Sequence, residues 1–266
     1  MPARTRRSAV RTSLSYHRLR NARVARRIVA HTGLAPPCLV VEAGAGDGIL
    51  TGALLPVASR IIAVERDRQL WDRLRRRSDD EPRVTPVLGD IRSFRLPREP
   101  YAFVANPPFS LTAELLRTVL FGERPPQRAC LVLQRDAALH WAGAGPSSVV
   151  AVLAHALWEI DIALALRRTD FLPQPSVDCA LLVAVRRPQP LVSPGDWPRF
   201  ERFVRTGFGG GRHTVRQNLR GVLRDRAFQR SALRLGIERN ARPSELSPAQ
   251  WLELFRQANG GSCPAP

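Results

Sequence analysis

The sequence predicts an α/β fold, a doubly wound sheet followed by a small helical domain, on three observations. Short continuous apolar runs alternate with helix-patterned stretches, the signature of a parallel sheet covered on both faces. A glycine-rich turn, Gly44-Ala45-Gly46-Asp47-Gly48, follows directly on the first of those runs. Beyond Arg186-Arg187-Pro188 the strand-like runs stop and only helical patterns remain.

Taken in order, residues 1–20 form a basic arm with little apolar pattern. Val24 to His31 reads as an amphipathic helix, ended by Gly33 and closed off by Pro36-Pro37. Leu39–Glu42, Ile61–Glu65, Thr85–Leu88, Phe103–Ala105 and Cys130–Leu133 read as buried strands. Helical patterns such as Gln69–Arg77 and Thr112–Leu120 fill the gaps. Ile160–Leu166 and Cys179–Val185 are the last strands, and the short link through Pro173 and Pro175 predicts an antiparallel return at the sheet edge. Ser247-Pro248-Ala249-Gln250 has a Ser cap, Pro at the first helical position and Gln where a capping box needs it. The expected division is 1–30, arm and first helix; 31–187, sheet domain; 188–266, helical domain.

The 266 residues carry a formal net charge of +18, and all 41 basic residues are Arg. A coding bias accounts for Arg in place of Lys, but not for 41 basic residues against 23 acidic ones. That excess implies a polyanionic partner, nucleic acid first, because guanidinium groups fork onto phosphate and steer association. Cys38, Cys130, Cys179 and Cys263 are scattered, with no C-x-x-C pair and no His at metal spacing. They read as reduced thiols, with no metal implied. No apolar stretch reaches membrane-spanning length and no signal-peptide core follows the arm, so a soluble cytoplasmic protein is expected.

The chemistry concentrates at strand ends. Asn106-Pro107-Pro108-Phe109 follows the fourth strand. The Asn side-chain oxygen and the Pro107 carbonyl can both accept from the NH₂ of a base, which aligns the nitrogen for methylation. The prolines stiffen the loop, and Phe109 offers a face for stacking, worth roughly 1–3 kcal/mol per base. Glu42 ends the first strand, and the glycines Gly44, Gly46 and Gly48 follow it, where backbone can approach a ligand closely. Glu65 ends the second strand, placed to bind ribose hydroxyls, and Gly89-Asp90 ends the third, placed to accept from an adenine amino group. One acid at a strand end is usually solvated or capping a helix, and Arg66 and Arg68 could simply pair with Glu65. Four suitable groups at four successive strand ends argue for a single cleft. A dinucleotide is disfavoured, since Ile49 occupies the last glycine position of G-x-G-x-x-G.

These residues resemble the rRNA adenine N6-methyltransferase family, which comprises the Erm and dimethyladenosine-transferase enzymes. The resemblance runs from about Ser15 to the C-terminal helices. Glu42 to Thr51 is similar to the family's donor loop, and Glu65, Gly89-Asp90 and Asn106 to Phe109 match its next three motifs. Phe171-Leu-Pro-Gln-Pro-Ser-Val-Asp178 is similar to its segment beside the target-base pocket. Phe208 to Leu219 is similar to its basic helical stretch, in the manner of the Erm branch. The resemblance implies a Rossmann-like methyltransferase sheet and S-adenosylmethionine as cofactor, held by His17, Leu19, Glu42, Gly44, Gly46, Glu65, Asp90, Ile91 and Asn106. It implies catalysis by Asn106, Pro107 and Phe109, and RNA contact by Phe171, Arg212, Arg216 and Arg220. The last three Arg, spaced by four, form one basic face if that stretch is helical. Arg4, Arg6, Arg7 and Arg11 could add phosphate contacts. The expected partner is large-subunit ribosomal RNA before full assembly, met by a monomer. The expected outcome is resistance to macrolide-type antibiotics, through a lost hydrogen bond and an added clash.

One departure stands out. The family opens with Gln-Asn-Phe-Leu, and the equivalent residues here are Tyr16-His17-Arg18-Leu19, of which only Leu19 fits. Either His17 replaces the amide and Tyr16 covers the donor, or the arm has diverged and holds the donor more weakly. A nucleic-acid binder without turnover, a small-subunit rRNA methylase and a DNA adenine methylase are the other readings; the intact Asn106–Phe109 loop argues against the binder.

Overall fold

The computed structural model describes residues 17–211 and 213–259. The arm residues through Tyr16, with Arg212 and Cys263, lie outside the described residues. In chain order the elements are β1 (Arg18–Leu19), α1 (Ala22–Ala30), β2 (Leu39–Ala43), α2 (Ile49–Leu54), β3 (Arg60–Glu65), α3 (Arg68–Arg77), β4 (Val84–Leu88) and β5 (Ala102–Ala105). There follow α4 (Thr112–Phe121), β6 (Arg128–Gln134), α5 (Arg135–Trp141), α6 (Val149–Leu157), β7 (Trp158–Leu166), β8 (Phe171–Leu172) and β9 (Cys179–Arg186). Four helices complete the chain: α7 (Trp197–Phe208), α8 (Val215–Asn218), α9 (Asp225–Leu235) and α10 (Pro248–Ala258).

The seven-stranded sheet has the order β4-β3-β2-β5-β6-β9-β7. The strands from β4 to β6 are parallel, whereas β9 runs antiparallel to both β6 and β7. The return expected around Pro173 and Pro175 is therefore present, with β7 as the edge strand. Alternation along each strand divides the core. Val40, Ile61, Val104 and Cys130 pack on one face with α1 and α2. Val41, Phe103, Leu131 and Leu182 pack on the other with α4. The order reverses between β2 and β5, and the register sets Ala43 beside Ala105 there. Such a switch point opens a crevice beyond the carboxyl ends of the strands.

Asn21 caps α1 by accepting from the Val24 N–H at 3.1 Å, and the buried stripe Val24, Ala25, Ile28 and Val29 seats the helix on the sheet. The C-terminal helices enclose their own cluster of Phe200, Phe203, Trp251 and Phe255, into which α6 sends Val152 and Ala156. The capping box at Ser247 and Gln250 forms as its sequence predicts. Of the basic face expected of Arg212, Arg216 and Arg220, Arg212 lies outside the described residues, and Arg216 and Arg220 do not share a helix. Gly211 turns through a φ of 61°, and Thr214 caps a new helix of only four residues that ends before Arg220. Arg216 is committed to Asp225 through two bonds of 2.8 Å. No helix among the described residues is long and apolar enough to cross a membrane.

Candidate active site

The turn after β2 depends on glycine in the strict sense. Gly44, Gly46 and Gly48 have φ of 71°, 61° and 87°, a region where a Cβ is strained. A Cβ on Gly44 would meet no atom within 4 Å, so the space beside it is cavity. That cavity, of about 240 Å³, is bounded by Gly44, Glu65, Asp90, Ile91 and Pro107. Leu70, Pro108, Leu111 and Leu115 supply apolar wall, which the sequence reading missed. The i, i+4 spacing of Leu111 and Leu115 directly after the Asn106 loop was its available signal. A smaller recess is lined by Leu19, Glu42, Gly44 and Asn106, with Arg18 at its side.

Glu65 holds the loop. Its two carboxylate oxygens accept the backbone N–H groups of Gly46 and Asp67, each at 2.8 Å. Each oxygen keeps a second lone pair for a ligand hydroxyl. Asp90 is paired with Arg92 through contacts of 2.6 to 3.1 Å, which hold its carboxyl well down, at about 2. Glu42 is fully buried and accepts the Thr51 hydroxyl at 2.6 Å. Burial pushes its carboxyl up to about 8, against the lowering effect of Thr51 and with a further rise from the Glu65 charge. Burial thus biases Glu42 toward its neutral form.

Asn106 is almost buried and donates its amide N–H to the His17 carbonyl at 2.9 Å. The amide orientation is thereby fixed, with the oxygen as its remaining polar atom. The His17 ring lies 5.0 Å from that of Phe109, tilted by 32°, and its Nδ1 meets the Pro173 carbonyl oxygen at 2.8 Å. The arm residue thus touches the Asn106 loop and the Phe171–Asp178 segment together. Pairing of β1 with β8 extends the same connection, and Arg27 adds an ion pair to Asp170 at 2.6 Å. A two-residue ladder carries no periodicity, so nothing in the sequence predicts it.

Two residues assigned by resemblance take other places. Phe171 was expected to contact RNA, but its side chain is fully buried in the core beneath the sheet; β8 turns it inward and leaves Leu172 outside. His17 lines neither the cavity nor the recess; its contacts run to Asn106, Phe109 and Pro173. Leu19, Glu42, Gly44, Glu65, Asp90, Ile91, Asn106 and Pro107 are brought to one crevice, and Gly46 closes it by bonding Glu65.

The sequence profile of the family described as "Ribosomal RNA adenine dimethylase" matches residues 7–259. Mycinamicin-resistance protein MyrB of Micromonospora griseorubida is 34% identical over 231 residues, 85% of this chain and 72% of that protein. "Ribosomal RNA small subunit methyltransferase A" of Synechococcus sp. (strain JA-2-3B'a(2-13)) is 35% identical over 229 residues, 83% of this chain and 80% of that protein. The crystal structure of the 23S rRNA methyltransferase ErmE superposes with a TM-score of 0.84 at 28% identity, covering 91% of this chain and 99% of that one. With its profile matched almost end to end and the strand-end groups in one crevice, the chain belongs to the ribosomal RNA adenine dimethylase family.

Proposed function

We propose that this protein transfers a methyl group from S-adenosylmethionine to N6 of an adenine in 23S rRNA, and so gives macrolide-lincosamide-streptogramin type resistance. The observation that carries the chemistry is Asn106, whose amide nitrogen is spent on the His17 carbonyl so that its oxygen can accept from a base. ErmE, a 23S rRNA methyltransferase, supports the large-subunit substrate, and MyrB, a mycinamicin-resistance protein, supports the resistance. The family also contains small-subunit enzymes, which makes 16S rRNA the second reading.

The crevice suits the donor. Gly44 leaves open the space that a Cβ would fill, and Leu70, Ile91 and Leu115 offer apolar surface for a flat ring. Glu65 would bind the ribose hydroxyls, Asp90 the adenine amino group, and Leu19, Glu42 and Gly46 the methionine end. When bound, S-adenosylmethionine supplies the methyl group as an electrophile on sulfonium sulfur. Asn106 and the Pro107 carbonyl would orient N6, with Phe109 stacked on a base flipped out of its helix. No tuned general base is required, because the proton can leave nitrogen for solvent after transfer. Catalysis is then chiefly positioning, an effect that can reach about 7–11 kcal/mol. The proposal includes a monomer acting in the cytoplasm on rRNA before the large subunit is fully assembled.

The test is transfer of labelled methyl to protein-free 23S rRNA, with 16S rRNA and DNA alongside, followed by nucleoside analysis. N6-methylated adenosine in 23S rRNA alone is expected, together with macrolide resistance on expression in a susceptible bacterium. Label in 16S rRNA instead would establish the second reading, and none in any nucleic acid would overturn both.

A further inference from the structure

The recess beside Asn106 does not end at the donor loop. Ile49 lines it, and Ile49 with Gly48 also lines a second groove, of about 390 Å³, on the outer surface of the sheet domain. The floor of that groove is α2, and its banks are α1 and α3. Arg26 lies on one bank and Arg77 on the other. Arg23, one turn before Arg26, and Arg73, one turn before Arg77, extend the same basic edges. All four are exposed, and none has an ion pair or hydrogen bond among the described residues. Several other arginines are committed to acids, Arg92 to Asp90, Arg205 to Glu201, Arg216 to Asp225 and Arg234 to Glu253. Arg95, Arg98, Arg117 and Arg202 are exposed without an ion pair among the described residues but do not line this groove. Glu81, the groove's acid, is neutralised by a two-point contact with Arg83.

The floor carries the second observation. Gly52 sits inside α2 and is exposed, at a helical position where glycine costs about 1 kcal/mol against alanine. Beyond its own helical turn and chain neighbours, no atom lies within 4 Å of the Cβ it lacks, and no positive φ requires glycine there. Packing and backbone strain therefore do not account for it. A bare stretch of helix between two rows of uncommitted guanidinium groups is a place for a polyanionic backbone to lie close.

We propose that the α1–α2–α3 groove binds the phosphate backbone of the rRNA strand next to the target adenine, with Arg26 and Arg77 as its principal phosphate contacts. Arg18, at the side of the Asn106 recess, begins the track, and the donor loop carries it across Ile49 and Gly48 to the groove. The inference rests on the rRNA reading above, but its test reads binding and so is independent of turnover.

The experiment measures equilibrium binding of a 23S rRNA fragment across a salt series, for wild type and for Arg26→Ala/Arg77→Ala. Loss of two phosphate contacts should lower the slope of log K against log salt by about 1.4–1.8, and raise KM for rRNA with kcat and donor affinity unchanged. Arg95→Ala/Arg98→Ala removes the same charge outside the groove and should leave the slope near that of wild type. Gly52→Leu obstructs the floor without altering charge and should weaken rRNA binding while the fold, followed by circular dichroism, is retained. A groove double variant indistinguishable from the Arg95/Arg98 control, or a Gly52→Leu protein binding rRNA like wild type, overturns the proposal. Wild type that binds rRNA but transfers no methyl would instead refute the function proposed above and leave the groove test readable.

Discussion

At the residue scale, Asn106 and His17 are joined through a backbone carbonyl, which separates the effects of their variants. Asn106→Ala removes the acceptor proposed for N6 and should lower kcat on the order of 10²-fold or more, the cost of losing one preorganised hydrogen bond at a reacting centre. Affinity for rRNA should be little changed, and retained turnover would refute the assigned role. His17→Ala keeps the carbonyl and loses only the ring on Phe109 and the bond to Pro173, so a smaller fall is expected in the same assay. Glu42 adds a pH dependence. Its carboxyl is raised from 4.5 to about 8, chiefly by burial. Between those values the folded protein holds a proton that the unfolded chain has released. The stability this group contributes is therefore full below the ordinary carboxylate range and is lost as pH rises through about 8. Glu42→Gln keeps an acceptor for Thr51 and cannot titrate, so its Tm should fall less than that of wild type between about pH 5 and pH 8. Equal falls would remove Glu42 as the cause. The strand-end residues were legible because glycine at positive φ and acids at strand ends are local requirements. The inward turn of Phe171 was not, because a motif gives position in the chain and not the direction of a side chain.

The elements show the same division. Buried strands announce themselves as apolar runs, and β2 to β6 lie within two residues of where those runs place them. Spacing misleads when a local breaker intervenes: Arg212, Arg216 and Arg220 have helical spacing, but Gly211 and the Thr214 cap divide the stretch. The β1–β8 ladder depends wholly on tertiary contact and so escapes any local pattern. Deleting residues 1–19 should therefore cost more activity than His17→Ala, because it removes the carbonyl that holds Asn106 along with the ladder. Comparable kcat values for the two variants would show that the ladder does not position the loop. Among the C-terminal helices, a Cβ on Gly207 would come within 2.3 Å of Trp251, which is fully buried and stacked on Phe208. Gly207→Ala should thus destabilise the protein by about 1–3 kcal/mol through overpacking, read as a lower midpoint in urea. An unchanged midpoint would mean that the Trp251 ring moves aside freely.

For the whole molecule, the excess of 41 basic over 23 acidic residues is carried by guanidinium groups alone. An arginine does not deprotonate in the working pH range, whereas an ammonium group is open to acylation and begins to titrate near 10. The field that gathers rRNA should accordingly be indifferent to amine chemistry. Treatment with an amine-directed acylating reagent should leave both rRNA affinity and its salt slope unchanged, because no Lys is present to lose its charge. An arginine-directed dicarbonyl should reduce both, since each neutralised contact removes its share of counterion release. Prior binding of rRNA should protect the arginines that touch phosphate, and mass analysis of the protected peptides would map them around α1 and α3. Loss of binding after acylation would overturn the assignment of the field to these guanidinium groups.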